Sequence, residues 1–489
     1  MTISISNPEA SSIATQSPAL PAQAAGSRSV YRIRHTLASR FAFLLLCVAI
    51  VLSALAYGTV HYWTLALFSL GAMTMIVLWV ADGWKLGMFR LSRNVLQLPL
   101  LAMLALGCVQ LLPLGSHDAT GLLGSGVKSL SLDPYSTRLV LVQVVALYIY
   151  FLATLVFTDT PHRLRLLVRT IIVFGFFLAI FGLTQSFTSP NRVYWVRELA
   201  QSTAFGPFIN RHHFAGYMEL TISLPLGLLF AGSIERDKRI VYLFAAVLMG
   251  VALILTGSRG GIIALVAEVL FLASIAGLRR RHQQHRSGKN SRVVGALLRT
   301  GLAFVLIVGL FAGVVLMGGE SALSRFVGTV NSEDPTTGRA HFWNVTVDII
   351  KAHPVIGTGL GAFGVVYTRY DSRNGLFRLE QAHNDYLQVL SDGGVVGAAI
   401  GLVFIVMLFR VGFSRRESGD EFRRGVAIGA LAGCFAVLVH SFFDFTLHTT
   451  SNALLFLVLA ALATMNGRVE ERHLRKRRHR GRGAGIEVG

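Results

Sequence analysis

The sequence predicts an all-α polytopic membrane protein with about twelve transmembrane helices and one large, partly helical outer loop between spans nine and ten. Three observations carry that expectation. Of 489 residues, 53% are hydrophobic and 14% charged, whereas soluble domains carry about 25% charged residues. The mean hydropathy of +0.58 suits an integral membrane chain and not one large soluble core. Apolar runs near the ~20 residues that cross a bilayer recur along the chain.

Residues 1–39 are rich in Ser, Ala and Pro and hold no apolar run. They read as a disordered cytoplasmic tail. The apolar segment after Arg40 lacks an A-x-A-like cleavage site, so it reads as an anchor and not a removed signal peptide. The membrane domain then covers 40–465. Its apolar runs fall at 41–60, 62–81, 95–114, 139–157, 166–185, 213–232, 240–257, 261–278, 301–318, 394–410, 425–443 and 451–465. The last is short. Residues 466–489 form a basic tail.

The formal net charge of +20 does not point to nucleic acid. The basic residues sit in short clusters between apolar runs, such as "RRRHQQHRSGKNSR" at 279–292. With the N-terminus inside, most Lys and Arg fall in inner segments, as the positive-inside rule requires. An even number of spans then puts both termini in the cytoplasm. Cys47, Cys108 and Cys434 all lie within apolar runs and read as small buried hydrophobes, with no metal-ligand spacing.

Two outer loops are long, about 186–212 and 319–393. The second is patterned. "GRAHFWNVTVDIIKAHP" (338–354) puts Phe342, Val345, Ile349 and Ile350 at helical spacing, and Pro354 stops it. "GTGLGAFG" (357–364) reads as a flexible turn. It has no Walker GK[ST]. A second helix is expected from about Glu380, with His383, Tyr386, Leu387 and Leu390 on one face.

Four outward residues are hard to read as filler. Arg259 lies in "LTGSRGGIIAL" between two spans, where an unpaired cation costs roughly 2.5 kcal/mol or more. It is either a snorkelling arginine at a headgroup or part of an anion site. Arg339 opens the first loop helix, and alone would pass for an exposed charge. Arg211 lies with Asn210, His212 and His213 in a polar knot at the entry to the sixth span. Adjacent histidines lack the i, i+4 spacing of metal ligands on one helical face. His383 stands in "QAHNDYLQVLSDGGVVG", at the mouth of a span. Asn384 and Asp385 beside it could orient its ring and fix its tautomer, or Asp385 could serve as a helix N-terminal charge. His440, Asp444 and His448 near the outer end of the eleventh span either line the same cavity or bond helix to helix.

Taken together, "TGSRGG", "GR" followed by "FW", "HPVIGTGLGAF", "AHNDYLQVLSDGGVVG", "NRHHFAGY" and "VHSFFDFTLHTTSNALLF" resemble the O-antigen ligase and oligosaccharide polymerase superfamily. The resemblance spans roughly 95–465. It implies a glycosyltransferase of the bacterial inner membrane that needs no metal and no cofactor. The donor would be an undecaprenyl-diphosphate-linked glycan at the periplasmic face. The acceptor would be lipid A core, another glycan chain or a protein. By motif and order His383 would be the base, and Arg259 and Arg339, joined by Arg211, would serve the diphosphate. Asn210, Asn384, Asp385, Tyr386 and Asp444 would support them. Membrane lipids would be its other partners. From other classes, a secondary transporter would show inverted repeats and broken helices, and a scaffold would carry no chemistry.

Overall fold

The computed structural model describes residues 35–114, 129–190, 192–199, 203–283, 308, 339–372, 379–415 and 418–465, with backbone alone over 276–283. Helices dominate. In chain order they are α1 (Leu37–Leu55), α2 (Tyr62–Leu86), α3 (Gln97–Gln110), α4 (Pro134–Phe157), α5 (Pro161–Thr188), α6 (Arg211–Phe230), α7 (Arg239–Leu255), α8 (Arg259–Gln283), α9 (Arg339–Ala352), α10 (Phe363–Tyr370), α11 (Asp385–Arg415), α12 (Glu421–His440) and α13 (Thr450–Thr464). A two-stranded hairpin, Arg192–Val193 with Arg197–Glu198, is the one sheet among the described residues.

Helices underlie every predicted span except 301–318, which apart from Val308 lies outside the described residues, as do the tails 1–34 and 466–489. Among the described residues, seven helices are long and apolar enough to cross a membrane. The helices under the predicted spans 95–114, 213–232, 261–278 and 451–465 are not among those seven. α3 has 14 residues and α13 has 15. At 1.5 Å per residue these reach only about 21–22 Å, against a hydrocarbon core of about 30 Å. α3 stops because its last residue, Gln110, docks. Its Nε2 donates to the carbonyls of Ile356 and Asp392 at 2.7 and 2.8 Å, and its Oε1 accepts from Leu360 N at 2.9 Å.

Helix starts follow capping chemistry. Asp133 and Thr160 cap α4 and α5, each followed by proline at the first helical position. Asn210 caps α6, its Oδ1 accepting from His212 N at 2.8 Å. Asp420 caps α12.

The bundle centres on α6 and α12, which meet at backbone distance. A Cβ on Gly227 would lie 2.3 Å from Gly429 Cα. Gly425, Gly429 and Gly433 repeat at four-residue spacing along that contact, the small-residue packing that lets membrane helices approach closely. This seam sets the site. It brings the start of α6 beside the end of α12.

Outside the main core, α9 and α10 build a small core of their own from Val345, Ile349, Phe363, Val366 and Tyr367. The helix predicted over 338–354 is α9. The expected flexible turn at 357–364 is instead a fixed one. Thr358 N donates to Ser391 O at 2.9 Å, Gly361 N to Asp392 Oδ2 at 2.9 Å, and Leu132 N to Thr358 O at 2.8 Å. Gly357 has φ 70°, and a Cβ there would lie 2.4 Å from Asp392 C. Position 357 is glycine because backbone there must lie on backbone.

α11 kinks at Gly394 (φ 61°, ψ −163°), where the tenth predicted span begins. Val395 N and Val396 N donate to Pro354 O and Val355 O at 2.8 and 3.1 Å. The kink thus joins the span to the loop core. Gly394→Ala is expected to cost on the order of 1–3 kcal/mol from the backbone angle alone, because that region belongs to glycine. Its Cβ would also meet Val355 O at 2.3 Å. Thermal unfolding in detergent should show a lower Tm. Gly401→Ala on the same helix, where nothing lies within 4 Å, should not lower it.

Candidate active site

Each arginine singled out from the sequence is the first residue of a helix: Arg211 of α6, Arg259 of α8 and Arg339 of α9. Helix N-termini carry partial positive charge and unsatisfied N–H groups, so they favour anions. The three ends lie together around the α12–α13 connection. The turn before α8 lies against Arg211, whose Nη1 would be 3.6 Å from a Cβ on Gly257. Gly260 faces His440 and Phe443 so closely that a Cβ would lie 2.6 Å from His440 Cδ2 and 2.8 Å from Phe443 Cβ. Gly260 therefore lets the start of α8 press against the end of α12, while Gly261 lies against α6, where a Cβ would be 3.0 Å from Ala215 Cβ.

Asp444 is the hub. It is 1% exposed. His383 Nδ1 lies 3.2 Å from its Oδ1. Arg339 Nη2 donates to its Oδ2 at 3.2 Å, and Arg339 Nη1 donates to the Phe443 carbonyl. His212 Nδ1 lies 3.8 Å from Oδ2, close in charge but too far for a hydrogen bond. Burial works against the Asp444 carboxylate. The His383 hydrogen bond, the nearby His212 ring and the Arg339 charge outweigh burial and hold its pKa far below the usual carboxylate range.

His383 does not sit on the expected helix. It precedes α11, with φ 51°, a backbone angle that non-glycine residues seldom adopt. The reason is Asn384. Its Oδ1 accepts from the N–H groups of Tyr386 and Leu387 at 3.0 and 3.1 Å, so it caps α11 and leaves His383 outside. Its Nδ2 donates to Phe442 O at 3.1 Å. The ring of His383 lies between Phe342, stacked at 6.2 Å, and Phe445, edge-on at 4.8 Å. The side chain is 25% exposed. Among the described residues no protein group bonds its Nε2.

Neither neighbour hydrogen-bonds that ring; Asn384 is a cap instead, and Asp385 takes its other expected place, as an acid in the first turn of α11. Asp385 accepts from Ser441 Oγ at 2.7 Å and pairs with His448 Nδ1 at 2.7 Å, tying α11 to the connection. Tyr386 donates its hydroxyl to Leu438 O at 2.7 Å. Burial pushes the His448 pKa down, but the Asp385 hydrogen bond and charge outweigh this and leave it above its usual value. A raised histidine pKa gives stability that is complete below about pH 6.5. That stability is lost as pH rises through the higher folded value. The Tm of the purified protein should therefore fall across that window, and His448→Gln should flatten this part of the slope.

His440, singled out from the sequence, bonds helix to helix here, with Glu219 and Ser258 behind Asp444. The sequence does not name those two partners, and their one signal was an acidic residue inside a span. Among the described residues, no group of three His, Cys, Asp or Glu is placed to hold a metal ion.

Residues 244–402 match the O-antigen ligase family. Over that segment, about a third of the chain, the protein is similar to the O-antigen ligases. The match runs from α7 to α11 and so includes Arg259, Arg339 and His383. No curated protein matches the chain. That similarity points to ligase- or polymerase-type glycan transfer, with glycan-linked lipids in general as substrates.

Proposed function

We propose that the protein moves a glycan from undecaprenyl diphosphate to an acceptor hydroxyl at the periplasmic face of the bacterial inner membrane. The acceptor is lipid A core or another glycan chain. The observation that carries this reading is the Asp444 hub, with His383 Nδ1 and Arg339 on one buried carboxylate and His383 Nε2 left open.

Asp444 accepts the Nδ1 proton of His383 and so leaves the Nε2 lone pair for the substrate. The acceptor O–H gives its proton to Nε2 as its oxygen bonds to the anomeric carbon. The bond from that carbon to the diphosphate oxygen breaks, and its electron pair leaves with the lipid diphosphate. Arg211 and Arg259, at the ends of α6 and α8, lie where they can take up that growing negative charge. Arg339 holds Asp444 and directs its remaining donors at the same group. One displacement of this kind inverts the anomeric configuration. The polyprenyl tail stays in the bilayer, which is why the site lies at the mouth of a span.

Two tests apply. A topology reporter fused within 365–372 should score periplasmic, and one at 284–290 cytoplasmic. A cytoplasmic signal from the first would place His383 on the wrong side for this donor. Arg259→Lys should lose most transfer at normal protein level, because lysine keeps the charge but not the planar fork. Full activity in Arg259→Lys and Arg259→Ala would remove the diphosphate role from Arg259.

A further inference from the structure

A second line of polar side chains runs from the hub into the bundle, and no step above uses it. His212 Nδ1 is 2.9 Å from Ser258 Oγ. Ser258 Oγ is 3.4 Å from His440 Nε2, and His440 Nδ1 is 2.7 Å from Glu219 Oε1. Glu219, Ser258 and His440 are buried to 1% exposure or less. Ionisable groups inside a membrane bundle are costly and mark function by default. This line ends at the site, on an imidazole that is 22% exposed.

The Ser258 hydroxyl decides what the line can do. It has one proton and two lone pairs. One lone pair takes the Gly261 N–H at 3.2 Å, the cap of α8. One proton and one lone pair remain for two imidazole nitrogens. One ring must donate to Ser258 and the other must accept from it.

In the first arrangement His440 gives its Nδ1 proton to Glu219 and accepts from Ser258 at Nε2. Ser258 then accepts from His212 Nδ1–H, and His212 Nε2 is a bare lone pair. In the second, the Glu219–His440 pair holds one more proton. His440 donates from Nε2, the Ser258 hydroxyl turns to His212, and the proton of His212 moves to Nε2. Asp444 selects between them. Its carboxylate lies 3.8 Å from His212 Nδ1, which favours a proton on that nitrogen and repels a lone pair.

We propose that His212 is a second substrate-binding imidazole of this site, and that Glu219, His440 and Ser258 are positioning residues that keep its proton on Nδ1. Its Nε2 then accepts a hydrogen bond from a hydroxyl of the acceptor sugar and steers that sugar towards His383. Among the described residues no protein group bonds His212 Nε2. Other titratable and charged groups around the line are Glu268 on α8, His213 and Arg211 on α6, Arg339 on α9, His383 and Asp385 at the start of α11, and Asp444. The inference rests on the reading of the site as a glycan transferase, but its first test does not need turnover.

That test is ¹⁵N NMR of histidine-labelled protein in lipid nanodiscs, with His212 signals assigned by difference from His212→Asn. His212 should carry its proton on Nδ1. Ser258→Ala and the isosteric Glu219→Gln should each raise the Nε2–H form. A His212 protonated on Nε2 in the wild type, or indifferent to both changes, overturns the proposal. The second test is kinetic. His212→Asn should raise KM for the acceptor about tenfold and leave KM for the lipid donor unchanged. Glu219→Gln should slow transfer in the wild type and have no further effect in Ser258→Ala, since coupling through one group is non-additive. Additive effects would reduce Glu219 to a packing residue. A wild type with the expected tautomer but no glycan transfer would count against the function of the site and not against this line.

Discussion

His383→Ala should abolish detectable transfer while the protein still inserts and accumulates. The expected loss is about 10²–10⁴-fold, the range for removing a general base. Folding should survive, because the ring is partly exposed and its contacts are few: stacked Phe342, edge-on Phe445 and one hydrogen bond to Asp444. The backbone there is the larger risk, since φ is 51°. His383→Asn is the useful control, as asparagine tolerates that angle well yet cannot take a proton. His383→Gln should fail likewise. In cells all three variants should accumulate the lipid-linked donor. A variant with normal protein level and near-normal transfer would make His383 structural.

Asp444→Asn should be nearly as severe. The amide keeps the shape of the side chain but removes the charge that His383, His212 and Arg339 share. It also presents either an oxygen or an NH₂ to His383 Nδ1, so the wrong tautomer becomes available. In a carboxylate–imidazole pair of this kind the loss reaches about 10⁴-fold in kcat. KM should change less. Asp444→Glu should not restore activity, because the longer side chain moves the carboxylate off His383 and Arg339. The carboxylate also neutralises Arg339, so some loss of Tm belongs to the expected result. The decisive comparison is kcat per folded protein. A kcat within a few-fold of wild type would leave His383 without its proposed orienting group.

Much of this arrangement was legible because it is local. "TGSRGG" places an arginine between two spans, and the structure makes it the first residue of α8, with Gly260 closely against α12. "HFWNVTVDIIKAHP" shows a helix with one apolar face and a stop. "GG" at 393–394 marks the kink in α11. Two local readings failed for one shared reason. Asn384 is a stronger cap than any residue near Glu380, so the helix begins later and His383 falls outside it. The glycines of 357–361 also looked loose, since sequence does not show which backbone will lie on theirs.

The partners were not legible. His383 meets Asp444 across 61 residues, and His440 meets Glu219 across 221. α12 is apolar on nearly every face and 78% buried over its membrane window. Such a helix has no amphipathic stripe to say which neighbour it faces. The glycine repeat along α12 carried that information, and it names a close contact without naming the helix in contact.

The most direct measurement is transfer by the purified protein in lipid nanodiscs, supplied with undecaprenyl-diphosphate glycan and a defined glycan acceptor. Wild type should form the product with the anomeric configuration inverted, in EDTA and without added metal. His383→Gln should form none at equal protein. Retained configuration, a strict need for added metal, or product at the wild-type rate from His383→Gln would contradict a single displacement driven by His383.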